Sequence, residues 1–279
     1  MKYIDLHVHS NCSDGTYSPS QLVAYALEKN LAAFALTDHD TTAGLDEAMQ
    51  AAAHTNLEVI PGIEFSTEYK GKDIHIVGLD IDYRSQSFQD QLCQFQHSRE
   101  IRNQKMIAKL QEYHIAISWE EMENLFGEAI WTRAHFAEYL MQKGYVKTTE
   151  EAFSRFVGDH CPCYVPREKV SPAQAVRLIR ESGGIPVLAH PLLYHMSEEE
   201  LAILADALKK EGLIGIEAIY STYIGYQEDD MRRFARHHGL CISGGSDFHG
   251  SIKPTIDLGC GRGNLKIPYD LLETMRAQL

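Results

Sequence analysis

Seven short apolar runs recur along the chain, and most of them are followed by a stretch with helical patterning. The runs lie at about residues 3–8, 32–37, 57–63, 74–79, 185–189, 214–219 and 240–243. Runs of this length that are rich in β-branched residues are typical of buried strands. Strands that alternate with helices build βα units, so the pattern predicts a mostly parallel sheet. At 279 residues the chain is long enough to close such a sheet into one α/β barrel.

The alternation stops between about residues 85 and 165, where the pattern is helical and contains no convincing strand. The helical segments there read FQHSREIRNQKMIAKLQEYHI, SWEEMENLF, WTRAHFAEYLMQKG and TEEAFSRFVG. An insertion between two barrel strands is the simplest explanation of this segment. We therefore predict a barrel in two parts, residues 1–84 and 166–279, with a helical insertion over residues 85–165 that forms a lid over the substrate.

The first apolar run carries strong metal ligands within the sequence DLHVHSNCSDG. Because side chains alternate along a strand, Asp5, His7 and His9 point to one face and the apolar residues to the other. A half-exposed strand with a polar face in water would show the same alternation. What favours a ligand site is that the pattern recurs later in the chain.

Six of the seven runs deliver an imidazole or a carboxylate at or near their carboxyl end. In a barrel these ends converge on one face, where such folds carry their chemistry. The candidate metal ligands are His7, His9, Asp14, His39, Glu64, His75, His190, Asp247 and His249. Imidazole and carboxylate without thiolate favour manganese, iron or zinc over magnesium or calcium alone. Nine ligands exceed the needs of one ion, so we predict two or three divalent ions, with Mn²⁺ preferred and Fe²⁺ or Zn²⁺ as alternatives.

The motifs occur in an order that resembles a known family. DLHVHSNCSDG, LTDHDT, GIEFST, IHIVGLDI, LAHP and SGGSDFHG look like the successive motifs of the polymerase and histidinol phosphatase (PHP) superfamily. The resemblance implies a distorted (βα)7 TIM-like barrel, the PHP fold, with a trinuclear metal centre. Within the superfamily the insertion and the segment TRAHFAEYL look most like the TrpH/YciV-type metal-dependent phosphoesterases. These are similar to enzymes that act on nucleoside 3′,5′-bisphosphates and on 5′-phosphorylated oligoribonucleotides.

The resemblance also implies how the ligands are divided, which spacing alone does not derive. It assigns one ion to His7, His9, Glu64 and Asp247, a second to Glu64, His75 and His190, and a third to Asp14, His39 and His249. Glu64 is then the bridging carboxylate. The expected nucleophile is a hydroxide that bridges the ions and is held by Glu64 and Asp247, because ions a few ångströms apart bind both the attacking and the leaving oxygen.

Three further carboxylates, Asp5, Asp38 and Asp40, are predicted to be outer groups that hold ligands in place, with turn or cap roles as the alternative. An outer carboxylate that orients a ligand histidine fits Asp5 or Asp38.

Basic residues of the insertion are candidates for binding the substrate phosphate. Arg133 and His135 match positions that family members use on phosphate, and a solvated helix face is the alternative. Arg99 and Arg102 continue with Lys105 and Lys109 as a basic stripe along one helix face, which is either solvated or used by a phosphate-bearing substrate. Weaker candidates at the same rim are Lys169, Tyr220 and Glu217. Trp119, Trp131 and the phenylalanines of the insertion are predicted to be core rather than a platform for base stacking.

Charge and composition limit the partners. The net charge of −13 opposes non-specific wrapping of nucleic acid, which requires a basic surface. It does not exclude a small anionic substrate, because bound cations reverse the local field. The expected partners are a small nucleotide and short single-stranded RNA, with no obligate protein partner. No apolar stretch approaches the length of a membrane span and the six cysteines are scattered, so a cytoplasmic protein with reduced thiols and no membrane contact is expected.

Two other functions share the same ligands. A histidinol-phosphate phosphatase would use the whole metal site, and the helical insertion argues against it. A non-catalytic PHP module, such as those found within polymerases, would not need every ligand position to be filled. The prediction is therefore a metal-dependent phosphoesterase that removes the 3′-phosphate of nucleoside 3′,5′-bisphosphates and degrades 5′-phosphorylated short RNA from 5′ to 3′.

Overall fold

The structure is a computed structural model that describes residues 2–127, 129–166 and 170–279. The weak candidate Lys169 lies outside these residues. Within the described ranges no helix is long and apolar enough to cross a membrane.

Seven strands form one sheet in which spatial order follows chain order. They are β1 (Ile4–Val8), β2 (Ala33–Leu36), β3 (Glu58–Tyr69), β4 (Lys72–Leu79), β5 (Ile185–Leu188), β6 (Gly215–Tyr220) and β7 (Cys241–Gly245). The first and last strands meet just beyond β7, where Val8 pairs with Phe248 and the Asp247 N–H donates to the His7 carbonyl at 2.9 Å. The sheet therefore closes into a nearly complete barrel, as the sequence predicts.

The fourth strand is the exception to parallel pairing. It runs antiparallel to both β3 and β5, whereas the other neighbouring pairs are parallel. The cause is local, because β3 and β4 are joined by Lys70 and Gly71 alone, both with positive φ (52° and 79°). A two-residue turn of this kind reverses the chain. The expectation that His75 lies near a carboxyl end is thus wrong. It lies in the first half of β4, and the reversed direction brings it to the same rim as the other ligands.

In the described parts of the chain, ten α-helices surround or extend the barrel. They are α1 (Pro19–Glu28), α2 (Leu45–Ala52), α3 (Gln86–Glu112), α4 (Trp119–Phe126), α5 (Arg133–Gln142), α6 (Thr149–Ala152), α7 (Pro172–Glu181), α8 (Glu198–Lys210), α9 (Gln227–His238) and α10 (Asp270–Arg276). Both α1 and α7 begin with a capping serine, Ser18 or Ser171, that accepts a backbone hydrogen bond, and with a proline in the first turn. A π-helical turn, Phe153–Val157, directly follows α6.

The described residues between β4 and β5 contribute helices and loops, and one buried apolar cluster belongs to them alone. This cluster spans Met106 to Val165 and includes Phe136, Tyr139 and Trp131. The barrel strands contribute to separate clusters. A core of its own lets the inserted segment act as a unit over the barrel, although the boundaries at residues 85 and 165 stay a prediction.

One close approach shapes the barrel beneath the ligands. A Cβ on Gly245, at the end of β7, would lie 2.2 Å from the Cβ of His7. No side chain fits in that space, so glycine allows β7 to pack directly against the strand that carries His7.

Candidate metal centre

All nine predicted ligands meet at one rim of the barrel. Their ligand atoms form four overlapping groups, each with all atoms within 4.8 Å of one another: His9, Asp14, His39 and His249; His7, Glu64 and His190; His7, His9 and Asp247; His39, Glu64 and His75. Eight of the nine are buried, and His75 is intermediate. Sequence reasoning therefore found side chains that the fold brings together.

Glu64 lies at the middle of the cluster with imidazoles around both carboxylate oxygens. Its Oε1 is 2.8 Å from His75 Nδ1, 3.1 Å from His190 Nε2 and 3.3 Å from His7 Nε2. Its Oε2 is 3.0 Å from His39 Nδ1 and 3.3 Å from His9 Nε2. Burial by itself would raise the pKa of Glu64, but the surrounding imidazoles hold it well below its usual range. The carboxylate is therefore ionised and central, as a bridging ligand would need to be.

Two aspartates close the cluster on either side. Asp247 Oδ1 is 3.3 Å from His9 Nε2 and 3.4 Å from His249 Nδ1. Asp14 Oδ1 is 3.2 Å from His249 Nε2, and its Oδ2 is 3.6 Å from His39 Nε2. These contacts are compatible with the division of ligands that the family resemblance implies, which stays a prediction.

Several imidazole nitrogens in the cluster are buried without a hydrogen-bond partner among the described residues. They are His7 Nε2, both nitrogens of His9, and His190 Nδ1. A buried polar atom without a partner costs about 1–3 kcal/mol. Divalent cations bound among nitrogens and carboxylate oxygens would remove this cost for the nitrogens that face them. The donor set thus fits metal ions of the kind that bind imidazole and carboxylate together.

The backbone at the ends of the strands is strained where it carries these groups. Asp40, His190 and Asp247 have φ values of 52°, 27° and 57°, in the left-handed region that non-glycine residues rarely adopt. Such strain is retained mainly where function requires it. Here it turns the chain sharply after β2, β5 and β7.

Glu217 on β6 orients one of the central histidines. Its Oε1 accepts a hydrogen bond from His7 Nδ1 at 3.1 Å, and its Oε2 accepts from the His190 backbone N–H at 2.7 Å. A proton held on Nδ1 leaves His7 Nε2 free to bind a cation. Glu217 was only a weak candidate in the sequence analysis, because a single acid within an apolar strand has no spacing signal.

We expect Glu217→Gln to weaken Mn²⁺ binding about 10- to 100-fold, the usual cost of losing an outer carboxylate from a ligand histidine. The uncharged amide no longer supports the protonated Nδ1 of His7. Titration of the metal-free protein with Mn²⁺ by calorimetry measures the change. An unaltered affinity in a folded variant would show that Glu217 does not orient His7.

The predicted outer carboxylates Asp38 and Asp5 hold loops. Asp38 accepts hydrogen bonds from the Ser10 N–H and hydroxyl at 2.8 and 2.6 Å and from the Ser13 hydroxyl at 2.6 Å. Asp5 accepts from the N–H and hydroxyl of Ser246 at 2.9 and 2.5 Å. They thus fix the segments that lead to Asp14 and Asp247. Neither accepts a hydrogen bond from a ligand imidazole, and among the described residues Glu217 has that role for His7.

Asp247 is held from its other side by two residues. The Lys253 ammonium and the Tyr220 hydroxyl each donate to its Oδ2 at 2.6 Å. Burial raises the pKa of Asp247, but Lys253 and the nearby imidazoles bring it well below its usual range. Tyr220 was a weak candidate from its position at the end of a strand. Lys253 was missed, because a lone lysine in a loop carries no signal.

A cavity of about 1120 Å³ lies between the cluster and the insertion. The barrel side of its wall includes Asp14, His39, His75, His249 and Lys253, and the insertion side includes Arg99, Arg102, Arg133, Lys147, Phe153 and Tyr164. The ligand cluster therefore opens into a space with several cationic groups. Such a space suits an anionic molecule larger than a single phosphate.

The predicted basic stripe of α3 divides into two parts. Arg99 and Arg102 are 4% and 7% exposed and line the cavity, so they are not a solvated face. Lys105 is exposed, and Lys109 donates to the Tyr164 carbonyl at 2.7 Å. Packing buries Arg99 and Arg102 in the middle of the helix, which periodicity alone does not reveal.

Arg99 links the insertion to the cluster. Its guanidinium forms an ion pair with Asp40 and donates to the Ser66 hydroxyl at 2.7 Å. That hydroxyl lies 3.3 Å from His39 Nδ1. Asp40 thus acts as the partner of Arg99, and the two fix the surroundings of His39.

Arg133 reaches the cavity, but its charge is already balanced. Its guanidinium donates to Asp73 at 2.6 Å and to Asp159 at 2.8 Å, and its side chain is 19% exposed. Arg133 therefore does not lie on a solvated helix face. Two carboxylates on one guanidinium leave no excess positive charge for a phosphate at that position.

His135 caps a helix instead of facing the cavity. Its Nδ1 accepts from the Thr132 backbone N–H at 2.9 Å in a capping box at the start of α5, and its ring packs against Phe126 with centroids 4.9 Å apart. Thr132 in turn donates to Asp14 at 2.9 Å. His135 is only 6% exposed, and its Nδ1 is occupied by the cap. This geometry therefore does not provide the direct phosphate contact that was predicted for His135.

Burial lowers the pKa of His135 to about 4 from 6.5. The folded state therefore resists protonation, and stability present above pH 6.5 is lost as the pH falls toward 4. At about pH 5 this loss is about 2 kcal/mol. We expect His135→Gln to keep the capping box, in which glutamine is common, and to abolish this part of the acid sensitivity. Urea unfolding of the metal-free wild type and variant at about pH 7.5 and pH 5 measures how the free energy of unfolding depends on pH. An equal pH dependence in the two proteins would contradict the role of His135.

Comparison with known proteins identifies the family. A family model for the PHP domain matches residues 5–158. The chain belongs to the PHP domain family. The match begins on β1 at Asp5. It includes six of the nine cluster residues, five of them between β1 and β3 and the sixth, His75, on β4. The resemblance seen in the motifs is therefore confirmed, and with it the distorted barrel.

Two relatives and a solved structure are similar to this chain over most of its length. A 5′-3′ exoribonuclease of Haemophilus influenzae is 37% identical over 248 residues, which cover 89% of this chain and 90% of the relative. A 3′,5′-nucleoside bisphosphate phosphatase of Chromobacterium violaceum is 35% identical over 263 residues, covering 93% and 91%. A solved structure from Chromobacterium violaceum, described as an amidohydrolase with bound sulfate and no metal, has a TM-score of 0.88 at 32% identity over 99% of this chain and 96% of that one.

Proposed function

We propose that this protein is a metal-dependent phosphoesterase that removes the 3′-phosphate from nucleoside 3′,5′-bisphosphates and degrades 5′-phosphorylated short RNA from the 5′ end. The observation that carries the proposal is a cavity into which the cluster of nine candidate metal ligands opens through Asp14, His39, His75 and His249, and whose insertion wall carries buried arginines. The relatives named as a bisphosphate phosphatase and as an exoribonuclease support this choice of substrate.

Two or three divalent ions, with Mn²⁺ preferred, would be held by the nine ligands. When bound, they would stabilise charge on the phosphoryl oxygens and supply a nucleophile at neutral pH. Glu64 contacts five imidazoles and would be the bridging ligand. Glu64 and Asp247 both approach His7 Nε2 and His9 Nε2, and together they would hold the attacking oxygen.

The chain's own residues would orient the substrate. Arg99 and Arg102 are one helical turn apart on α3 and both line the cavity. We assign the non-reacting 5′-phosphate to this pair, because both guanidiniums are buried and line the cavity. A remote phosphate held by a guanidinium orients the reacting one and so contributes to turnover. Lys253, which donates to Asp247 and lines the cavity, adds positive charge beside the reacting phosphate.

The same arrangement would serve RNA. In a 5′-phosphorylated oligomer, the ester at the 3′-phosphate of the first nucleotide occupies the place of the 3′-phosphate ester of the bisphosphate. Cleavage there releases one nucleotide and leaves a shorter chain. If the bond between the ribose 3′-oxygen and phosphorus is cleaved, the phosphate stays on the shortened RNA as its new 5′-phosphate. The shortened RNA is then a substrate for the next round, so nucleotides are removed stepwise from the 5′ end.

A substrate panel tests the proposal. The Mn²⁺-loaded protein is assayed side by side with adenosine 3′,5′-bisphosphate, a 5′-phosphorylated RNA oligomer and histidinol phosphate. The proposal expects the two nucleotide substrates to be hydrolysed much faster than histidinol phosphate. Preference for histidinol phosphate would support the alternative phosphatase, and no hydrolysis of any substrate would support a non-catalytic module.

A further inference from the structure

The cavity wall includes more than cluster residues and the two buried arginines. One part of it, the aromatic end, is formed by Phe153 and Tyr164, together with Met141 and Val165. Phe153 begins the π-helical turn after α6, and such turns often occur at functional sites. A metal site and a phosphate site account for the polar end of the cavity but not for this aromatic end.

Arg133 and Lys109 hold the two aromatic rings in place. The Arg133 guanidinium lies 5.9 Å from the Phe153 ring centroid and 5.3 Å from the Tyr164 ring centroid. Asp73 and Asp159 fix that guanidinium at 2.6 and 2.8 Å. Because the two bonds clamp Arg133, the rings rest against a rigid cationic plane. Lys109 also donates to the Tyr164 carbonyl at 2.7 Å, which anchors the backbone beneath the second ring.

The aromatic end is close to the ligand cluster. Asp73, which clamps Arg133, is two residues before His75 on β4. Residues two apart on a strand share a face and are ~7 Å apart. A molecule with its reacting phosphate at the cluster therefore shares one cavity with Phe153 and Tyr164.

Charge indicates what kind of group that is. One guanidinium with two carboxylates gives this end no excess positive charge, so a further phosphate is disfavoured there. A flat, uncharged, aromatic group fits both the rings and the charge, and such groups stack on aromatic side chains.

We propose that Phe153 and Tyr164, positioned by Arg133, form a nucleobase-binding subsite. This rests on the proposed function, because a base-binding wall has a use only if the substrate is a nucleotide. It revises the expectation that the phenylalanines of the insertion are core alone, since Phe153 both packs on the insertion core and lines the cavity. Arg133 is then a positioning residue for the base and not a contact of the phosphate.

The test compares ligands that differ only in the base. Adenosine 3′,5′-bisphosphate and base-free ribose 3,5-bisphosphate are used for hydrolysis, and adenosine 5′-monophosphate and ribose 5-phosphate for equilibrium binding by calorimetry. Phe153→Leu and Tyr164→Leu keep apolar volume and remove the stacking face. Tyr113→Leu is the matched control, because Tyr113 is a half-exposed tyrosine that follows α3, outside the cavity wall.

We expect each of the two variants to lower kcat/KM for the adenosine bisphosphate, and to weaken binding of adenosine 5′-monophosphate, about tenfold. The base-free compounds should respond as in wild type, and Tyr113→Leu should change nothing. Equal losses with and without the base, or no loss at all, would overturn the subsite. Base-dependent binding without any hydrolysis would support the subsite and contradict the proposed function. Hydrolysis at the same rate with and without the base would support the proposed function and contradict the subsite.

Discussion

Replacing Glu64 with glutamine should remove more bound metal and more activity than the loss of an outer carboxylate such as Glu217. Five imidazoles surround the Glu64 carboxylate within 3.3 Å. An amide retains the shape but lacks the charge that offsets two cations, so occupancy should fall at more than one site. We expect metal affinity to fall by more than the ~100-fold upper cost of losing an outer contact. Elemental analysis of protein purified without chelator and dialysed against Mn²⁺ measures the stoichiometry.

The matched control is Glu68→Gln on the same strand. Glu68 lies four residues further along β3, where its carboxylate accepts a hydrogen bond from the Gly71 N–H at 3.3 Å, away from the cluster. This variant should bind metal as wild type does. A wild-type chain that binds one ion or none under excess Mn²⁺ would contradict a site for several ions, and full occupancy in Glu64→Gln would contradict the bridging role.

Removing the 5′-phosphate from the substrate should slow turnover as well as weaken binding. A guanidinium that holds the remote phosphate contributes about 1.5–3 kcal/mol, which corresponds to a loss of about 10- to 150-fold in kcat/KM. Because this binding energy also orients the reacting phosphate, part of the loss should appear in kcat. A 5′-hydroxyl RNA compared with its 5′-phosphorylated twin, and adenosine 3′-monophosphate compared with the bisphosphate, give the measurement.

Variants of α3 identify the group responsible. Arg102→Met should reduce the preference for the 5′-phosphate, because Arg102 is buried and lines the cavity. Lys105→Met removes an exposed charge from the same helix and should leave the preference intact. If Arg102→Met lowers activity equally on substrates with and without the 5′-phosphate, the arginine has a structural role instead.

The barrel and the clustering of the nine candidate ligands were predictable because their signals are local. Short apolar runs predict strands, and polar residues such as His39 and His190 at the ends of these runs converge in any closed parallel sheet. The antiparallel β4 was missed although its cause, Lys70 and Gly71 between two strands, lies in the sequence. Its turn was hidden because β3 continues six residues past the end of the predicted run at residue 63, so the hairpin lies beyond the apolar pattern.

The supporting residues were less predictable because their roles depend on contacts between distant parts of the chain. Lys253 reaches Asp247 from a loop, and Glu217 reaches His7 across the barrel. Neither has a characteristic spacing. Arg133 and His135 were identified by a motif, but packing gives one of them two carboxylate partners and buries the other as a cap. A motif can thus mark a functional segment without assigning the role of each side chain.

The central claim is that the reacting phosphate is the 3′-phosphate while the insertion holds the 5′-phosphate. The products formed from adenosine 3′,5′-bisphosphate by the Mn²⁺-loaded protein test it most directly, because the two esters are chemically distinct and their products separate by chromatography. The account predicts adenosine 5′-monophosphate and inorganic phosphate. Release of adenosine 3′-monophosphate would contradict it.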